Sequence, residues 1–126
     1  MTEEVVVEEQ LVETWNIHDR INRYLLDSVP ADALVATLAP KHRSLSKLFA
    51  HMHNVRLLWL KSAAPELLKG LAKLEGEETD KDELASALQA SGKAIAALIR
   101  KSLAAGGKVK GFKPHVVAFV GYLIWA

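Results

Sequence analysis

The strong helix breakers in this chain are few and far apart: Pro30, Pro40, Pro65, Gly76, the Gly106–Gly107 pair, Gly111 and Pro114. Between them apolar residues recur three and four positions apart, the spacing that lines up one face of a helix. The only β-branched run, Val5-Val6-Val7, merges into such a segment, so strand signals are almost absent. The expected fold is all-α, an antiparallel four-helix bundle with long helices near residues 8–28, 41–61 and 80–105 and a fourth from Pro114 onward.

Each segment has its own stripe. In the first, Leu11, Trp15, His18, Asn22 and Leu25 share a face, with two polar members amid apolar neighbours. In the second, Leu45, Leu48, Phe49, Met52, Val55 and Trp59 repeat the pattern, and Pro40 stands where a first-turn proline is tolerated. Pro65 to Leu74 suggests a short connecting helix. The third long helix is capped by Thr79 or Asp80, carries Leu84, Leu88, Ile95, Leu98 and Ile99, and ends at Gly106 in the left-handed cap position. Its small residues Ser91, Gly92 and Ser102 let another helix approach closely. In the fourth, Val116, Val117, Phe119, Val120, Tyr122, Leu123, Ile124 and Trp125 are apolar nearly all round, which predicts burial on most sides.

A length of 126 residues fits one domain, taken as 1–126 with the fourth helix incomplete, since no polar turn or glycine finishes it before Ala126. The apolar fraction is 50% and the charged fraction 25%, which excludes a disordered tail. With no cysteine, the chain has no disulfide, zinc-thiolate site or thiol nucleophile of its own. The start is acidic (Glu3, Glu4, Glu8, Glu9, Glu13), and no acid follows Glu83. The later cations, Lys93, Arg100, Lys101, Lys108, Lys110 and Lys113, are too sparse and too poor in interleaved aromatics for a nucleic-acid stripe. An acidic start is unlike a secretory signal, and the longest apolar run is about half a membrane span, so a cytoplasmic protein with no membrane partner is expected. The uncovered apolar fourth helix predicts a homodimer or a swapped partner.

Bundle interiors are where sites are built from facing helices, so a histidine on or near a core face is a candidate ligand. His51 and His53, two apart, point roughly 200° away from each other, so at most one serves a given metal ion. Periodicity does not choose between them, and a half-buried histidine bonded to a carbonyl is the plain alternative for either. His18 with Asn22 is either a satisfied core pair or a substrate-facing one, the first preferred. His42 and His115 fall in first turns and are expected at the surface. Arg56 either meets an anionic group or snorkels past Trp59, the second preferred. Serines lack a nucleophile-elbow context, and no glycine loop is built to cradle phosphate.

The run Leu48-Phe49-Ala50-His51-Met52-His53-Asn54-Val55-Arg56-Leu57-Leu58-Trp59-Leu60 resembles the signature helix of the DinB/YfiT-like family, where a histidine precedes a tryptophan by eight residues. His51 with Trp59 fits that spacing and His53 does not. Trp15-Asn16, Gly111-Phe112-Lys113-Pro114 and Gly121-Tyr122-Leu123-Ile124 also resemble members. The resemblance implies a bundle, commonly dimeric, that holds a divalent ion (zinc, nickel or iron) through His51 and a His-x-x-x-His pair on the fourth helix. That pair is expected directly after Ile124, where this sequence reads Trp125-Ala126. His115 lies some ten residues too early to replace it, so the metal site is expected to be empty in these 126 residues. The resemblance further implies, for an intact chain, a metal-dependent S-transferase using a low-molecular-weight thiol held as thiolate by the ion. The competing expectation is a non-catalytic, dimeric binding or stress-response module. Lys108, Lys110 and Lys113 would attract such a thiol's carboxylates or form a solvated loop, the latter preferred.

Overall fold

A computed structural model describes residues 6–35, 44–75 and 80–125. Pro40, His42, Gly76 and Thr79, used above as helix opener, surface histidine, turn marker and alternative cap, lie outside them. The described residues form helices α1 (Val7–Ser28), α2 (Ala31–Leu34), α3 (Leu45–Ala63), α4 (Lys81–Ala104) and α5 (Val116–Trp125), with a 3₁₀ turn at Pro65–Leu68.

The helix ends have local causes. Ser44 caps α3 by accepting from the Lys47 N–H at 3.2 Å, and Asp80 caps α4 by accepting from the Glu83 N–H at 2.8 Å. At the other end of α4, Gly106 at φ +78° lets its own N–H reach the Leu103 carbonyl and the Gly107 N–H reach Ser102, the paired bonds of a glycine stop. The fourth long helix begins two residues after Pro114, at Val116, because His115 Nδ1 accepts from the Ala118 N–H at 3.2 Å; His115 is exposed, as expected. The connecting helix expected over Pro65 to Leu74 is only the 3₁₀ turn, followed by non-helical chain through residue 75.

The all-α bundle is as expected, but the expected antiparallel order holds only in part. α1 lies antiparallel to α4: Trp15 Nε1–H donates to the Gly92 carbonyl, and Lys81, at the start of α4, donates to the carbonyls of Asp27 and Val29 near the end of α1. α3 runs the same way as α4, with Arg56 bonded to Leu88 and Ser91, and Glu66, just past α3, ion-paired with Lys101. Parallel neighbours need a crossover that travels back along them. Here it is clamped to α3: His53 Nε2–H donates to the Ala72 carbonyl at 2.8 Å, while Asn54 exchanges two hydrogen bonds with the Leu74 backbone at 2.8 and 2.9 Å.

The core forms two apolar clusters along α4. One gathers Trp15, Leu60, Ile95, Ile99, Val116, Phe119 and Val120, with Trp59 stacked edge-on against Phe112, Phe119 and Tyr122. The other gathers Leu26, Leu34, Ala50, Leu84 and Leu88. Between them on each helix lies a polar layer of Asp19, Arg56 and Ser91, all buried.

The stripe expected on α4 is buried as drawn. On α3 the buried face is Ser46, Ala50, His53, Arg56 and Leu60, one residue round from the expected stripe, and Leu45 and Leu48 are exposed. On α1 the buried set is Val12, Trp15, Asp19 and Leu26, and Leu25 is exposed. α5 buries one face, Val116, Phe119, Val120 and Leu123, rather than most of its circumference; Trp125 is 91% exposed.

Candidate functional site

The rotation of α3 separates its two histidines. His53 goes inward, 1% exposed, and spends its Nε2–H on the crossover. Burial, joined by the charge of Arg56, holds its basicity below the ordinary 6.5, partly against the carbonyls of Ala72 and Ala87. It is a structural histidine. His51 is exposed and lines a pocket of about 210 Å³ with His18, Arg56 and Trp15; the apolar wall is Leu48, Met52, Val55 and, from α5, Leu123. Half of the stripe expected to be core on α3, Leu48, Met52 and Val55, is thus a pocket wall.

His18 is half-buried and belongs to this pocket rather than to a closed core. Its ring sits 5.3 Å from that of Trp15, and Asn22 Nδ2, donating to the His18 carbonyl at 3.0 Å, stands 3.1 Å from His18 Nε2. Burial and then the positive charge of Arg56 lower its basicity, against a smaller opposing effect of Asp19. The imidazole is therefore kept neutral and open to a ligand at neutral pH.

Arg56 corrects the expectation of snorkelling: it is 2% exposed. Nη1 donates to Asp19 Oδ1 at 2.9 Å, to the Leu88 carbonyl at 2.9 Å and to Ser91 Oγ at 3.2 Å, and the guanidinium lies over the Trp15 ring at 4.9 Å. Asp19 also accepts from Arg23 Nε at 3.0 Å. Asp19 was missed from the sequence. Its signal was an arginine inside an apolar helix segment, which needs a buried anion, together with the small Ser91-Gly92 step. A Cβ on Gly92 would come within 2.5 to 2.6 Å of the Asp19 carboxylate, so glycine there is what admits the pair.

Among the described residues no three histidine, aspartate or glutamate side chains are grouped to hold a metal ion. His51 has at most His18 beside it in the pocket, so the residues described do not fit a complete metal site. Lys108, Lys110 and Lys113 lie apart from the pocket, around a tight turn where Gly111 takes φ +85° and Phe112 reaches in against Trp59.

Fold and pocket together define an all-helical bundle with a small, largely apolar site at the meeting of α1, α3 and α5. Residues 1–104 match the DinB family, and the chain belongs to that family. No curated protein matches it. Among the described residues no helix is long and apolar enough to cross a membrane.

Proposed function

We propose that the chain supplies His51 as one imidazole ligand to a divalent ion, zinc, nickel or iron, and that the protein is a cytoplasmic, metal-dependent transferase joining a low-molecular-weight thiol to a small electrophile. The observation that supports this is the division of labour on α3. His51, in the family's spacing to Trp59, opens onto a pocket, while its neighbour His53 is consumed by the crossover. The further donors lie outside the described residues, and no chemical step is assigned to the ion. This chain's own part is to keep His18 neutral and to offer the substrate an apolar wall from Leu48 to Leu123. A second copy of the chain docks on the exposed face of α5, Val117, Tyr122 and Trp125, making a homodimer.

The test uses the full-length protein. Metal content and the rate of conjugating a small electrophile to bacterial thiols are compared with zinc, nickel or iron added, in wild type and His51→Ala. Loss of both metal and rate in the variant is expected; equal rates refute the transferase and leave a non-catalytic binding module. Sedimentation as a monomer at high concentration refutes the dimer.

A further inference from the structure

Arg56 carries a donor that the fold does not use. Nη1 is committed three times, yet Nη2 is buried and has no hydrogen-bond partner among the described residues, on a side chain 3% exposed. A charged N–H without an acceptor is unfavourable in such a place, so an acceptor belonging to a ligand would relieve it. Arg56 and Trp15 are both walls of the His51 pocket.

The charge around it is unbalanced in the same direction. Two guanidinium groups, Arg56 and Arg23, share the single carboxylate of Asp19, leaving one positive charge in excess. His18, a titratable group of the same wall, feels that field, since the charge of Arg56 disfavours its imidazolium form. Leu48, Met52, Val55 and Leu123 carry no charge, and His51 completes the lining.

We propose that this pocket selects a small monoanionic carboxylate with a short apolar body, one carboxylate oxygen accepting from Arg56 Nη2 and the body lying against Leu48, Met52, Val55 and Leu123. The proposal rests on taking the His51 pocket as the substrate site, but not on a metal ion being held there. A volume of about 210 Å³ is below the ~300 Å³ lower end for drug-sized ligands, which limits the occupant to about ten non-hydrogen atoms. One spare nitrogen and one spare positive charge suit a monoanion; a phosphate dianion would leave a second charge buried without a partner. Met52, unbranched and flexible, can adjust to the body of the ligand.

The test is a titration of the chelator-treated wild-type protein with benzoate and with benzamide, its neutral isostere. The readout is the Trp15 indole N–H signal in a ¹H–¹⁵N spectrum, assigned with Trp15→Phe. Benzoate is expected to move that signal saturably, and benzamide to bind about tenfold or more weakly, the usual difference between a charge-assisted and a neutral acceptor. Leu48→Trp, made on a residue 45% exposed at the rim, is expected to fill the pocket and abolish the shift while leaving the helical circular dichroism unchanged. Equal binding of the two compounds, a benzoate shift that survives Leu48→Trp, or no saturable shift overturns the proposal. Because chelator is present throughout, loss of the transferase reading leaves this titration unaffected. Transfer without carboxylate binding overturns only the anion assignment.

Discussion

Gly92→Ala adds one methyl group and tests the polar layer directly. The new Cβ falls 2.5 Å from Asp19 Cγ and Oδ2 and 2.6 Å from Oδ1, nearly an ångström inside ordinary contact. The carboxylate must move, and it is the group that holds Arg56 at 2.9 Å and Arg23 at 3.0 Å. Withdrawing the partner of a buried charge costs about 3–5 kcal/mol, whereas replacing glycine by alanine inside a helix gains about 1 kcal/mol. The expected net loss is therefore about 2–4 kcal/mol, a large part of the ~5–15 kcal/mol that holds a domain folded. Gly121 is the control: it lies inside α5 with nothing within 4 Å of its added Cβ, so Gly121→Ala is expected to be neutral or to gain up to about 1 kcal/mol. Urea unfolding followed by circular dichroism measures both, with the slope checked for constancy. A third arm removes the carboxylate. In an Asp19→Ala background the clash is gone, and Gly92→Ala is expected to cost nothing, a coupling of about 2 kcal/mol or more. Wild-type stability in Gly92→Ala, or the same penalty with and without Asp19, would refute the reasoning.

The other predictions concern the crossover, pH and the outer face of α5. Asn54→Ala removes both bonds to Leu74 and is expected to cost about 1–2 kcal/mol, with faster amide exchange confined to residues 71–75; unchanged exchange there would show that the clamp is not needed. His18 and His53 are both held below their ordinary value of 6.5 by burial. As pH falls through 6.5 the unfolded chain takes up protons that the folded one refuses, so stability is full above about pH 7 and declines below it. Urea midpoints at a series of pH values should show that slope, and His53→Gln, which keeps a donor for Ala72, should reduce it. Trp125→Ser touches a residue 91% exposed and is expected to leave unfolding within about 0.5 kcal/mol while weakening self-association in sedimentation; a larger loss in a monomer would place Trp125 in the chain's own core.

Much of the fold was legible because breakers and periodicity agree. The stripe of α4 is buried residue for residue, and Gly106 ends it where a left-handed cap was expected. Helix α3 was misread by one position, and the reason is physical. Leu48, Met52 and Val55 of its most apolar stripe face a pocket, while its inner face carries His53 and Arg56, whose burial depends on acceptors from α1, α4 and the crossover. Periodicity sees hydrophobicity on one helix and not the partners that other helices bring. The same blindness hid Asp19. The parallel course of α3 and α4 was hidden because part of the crossover, residues 71–75, is non-helical chain pinned by Asn54 and His53. His51 could be preferred over His53 only through its spacing to Trp59; periodicity left the two level.

The position of α4 has a consequence for how the protein comes into being. α1 and α3 each lie along α4, and their polar residues meet in the layer that Ser91 and Gly92 accommodate. While the ribosome is still short of residue 81, both earlier helices lack the helix that carries most of their contacts. At about 5–20 residues per second, the 24 residues of α4 take roughly one to five seconds to appear. Over that interval the faces of α1 and α3 that α4 covers in the finished fold stay open to water.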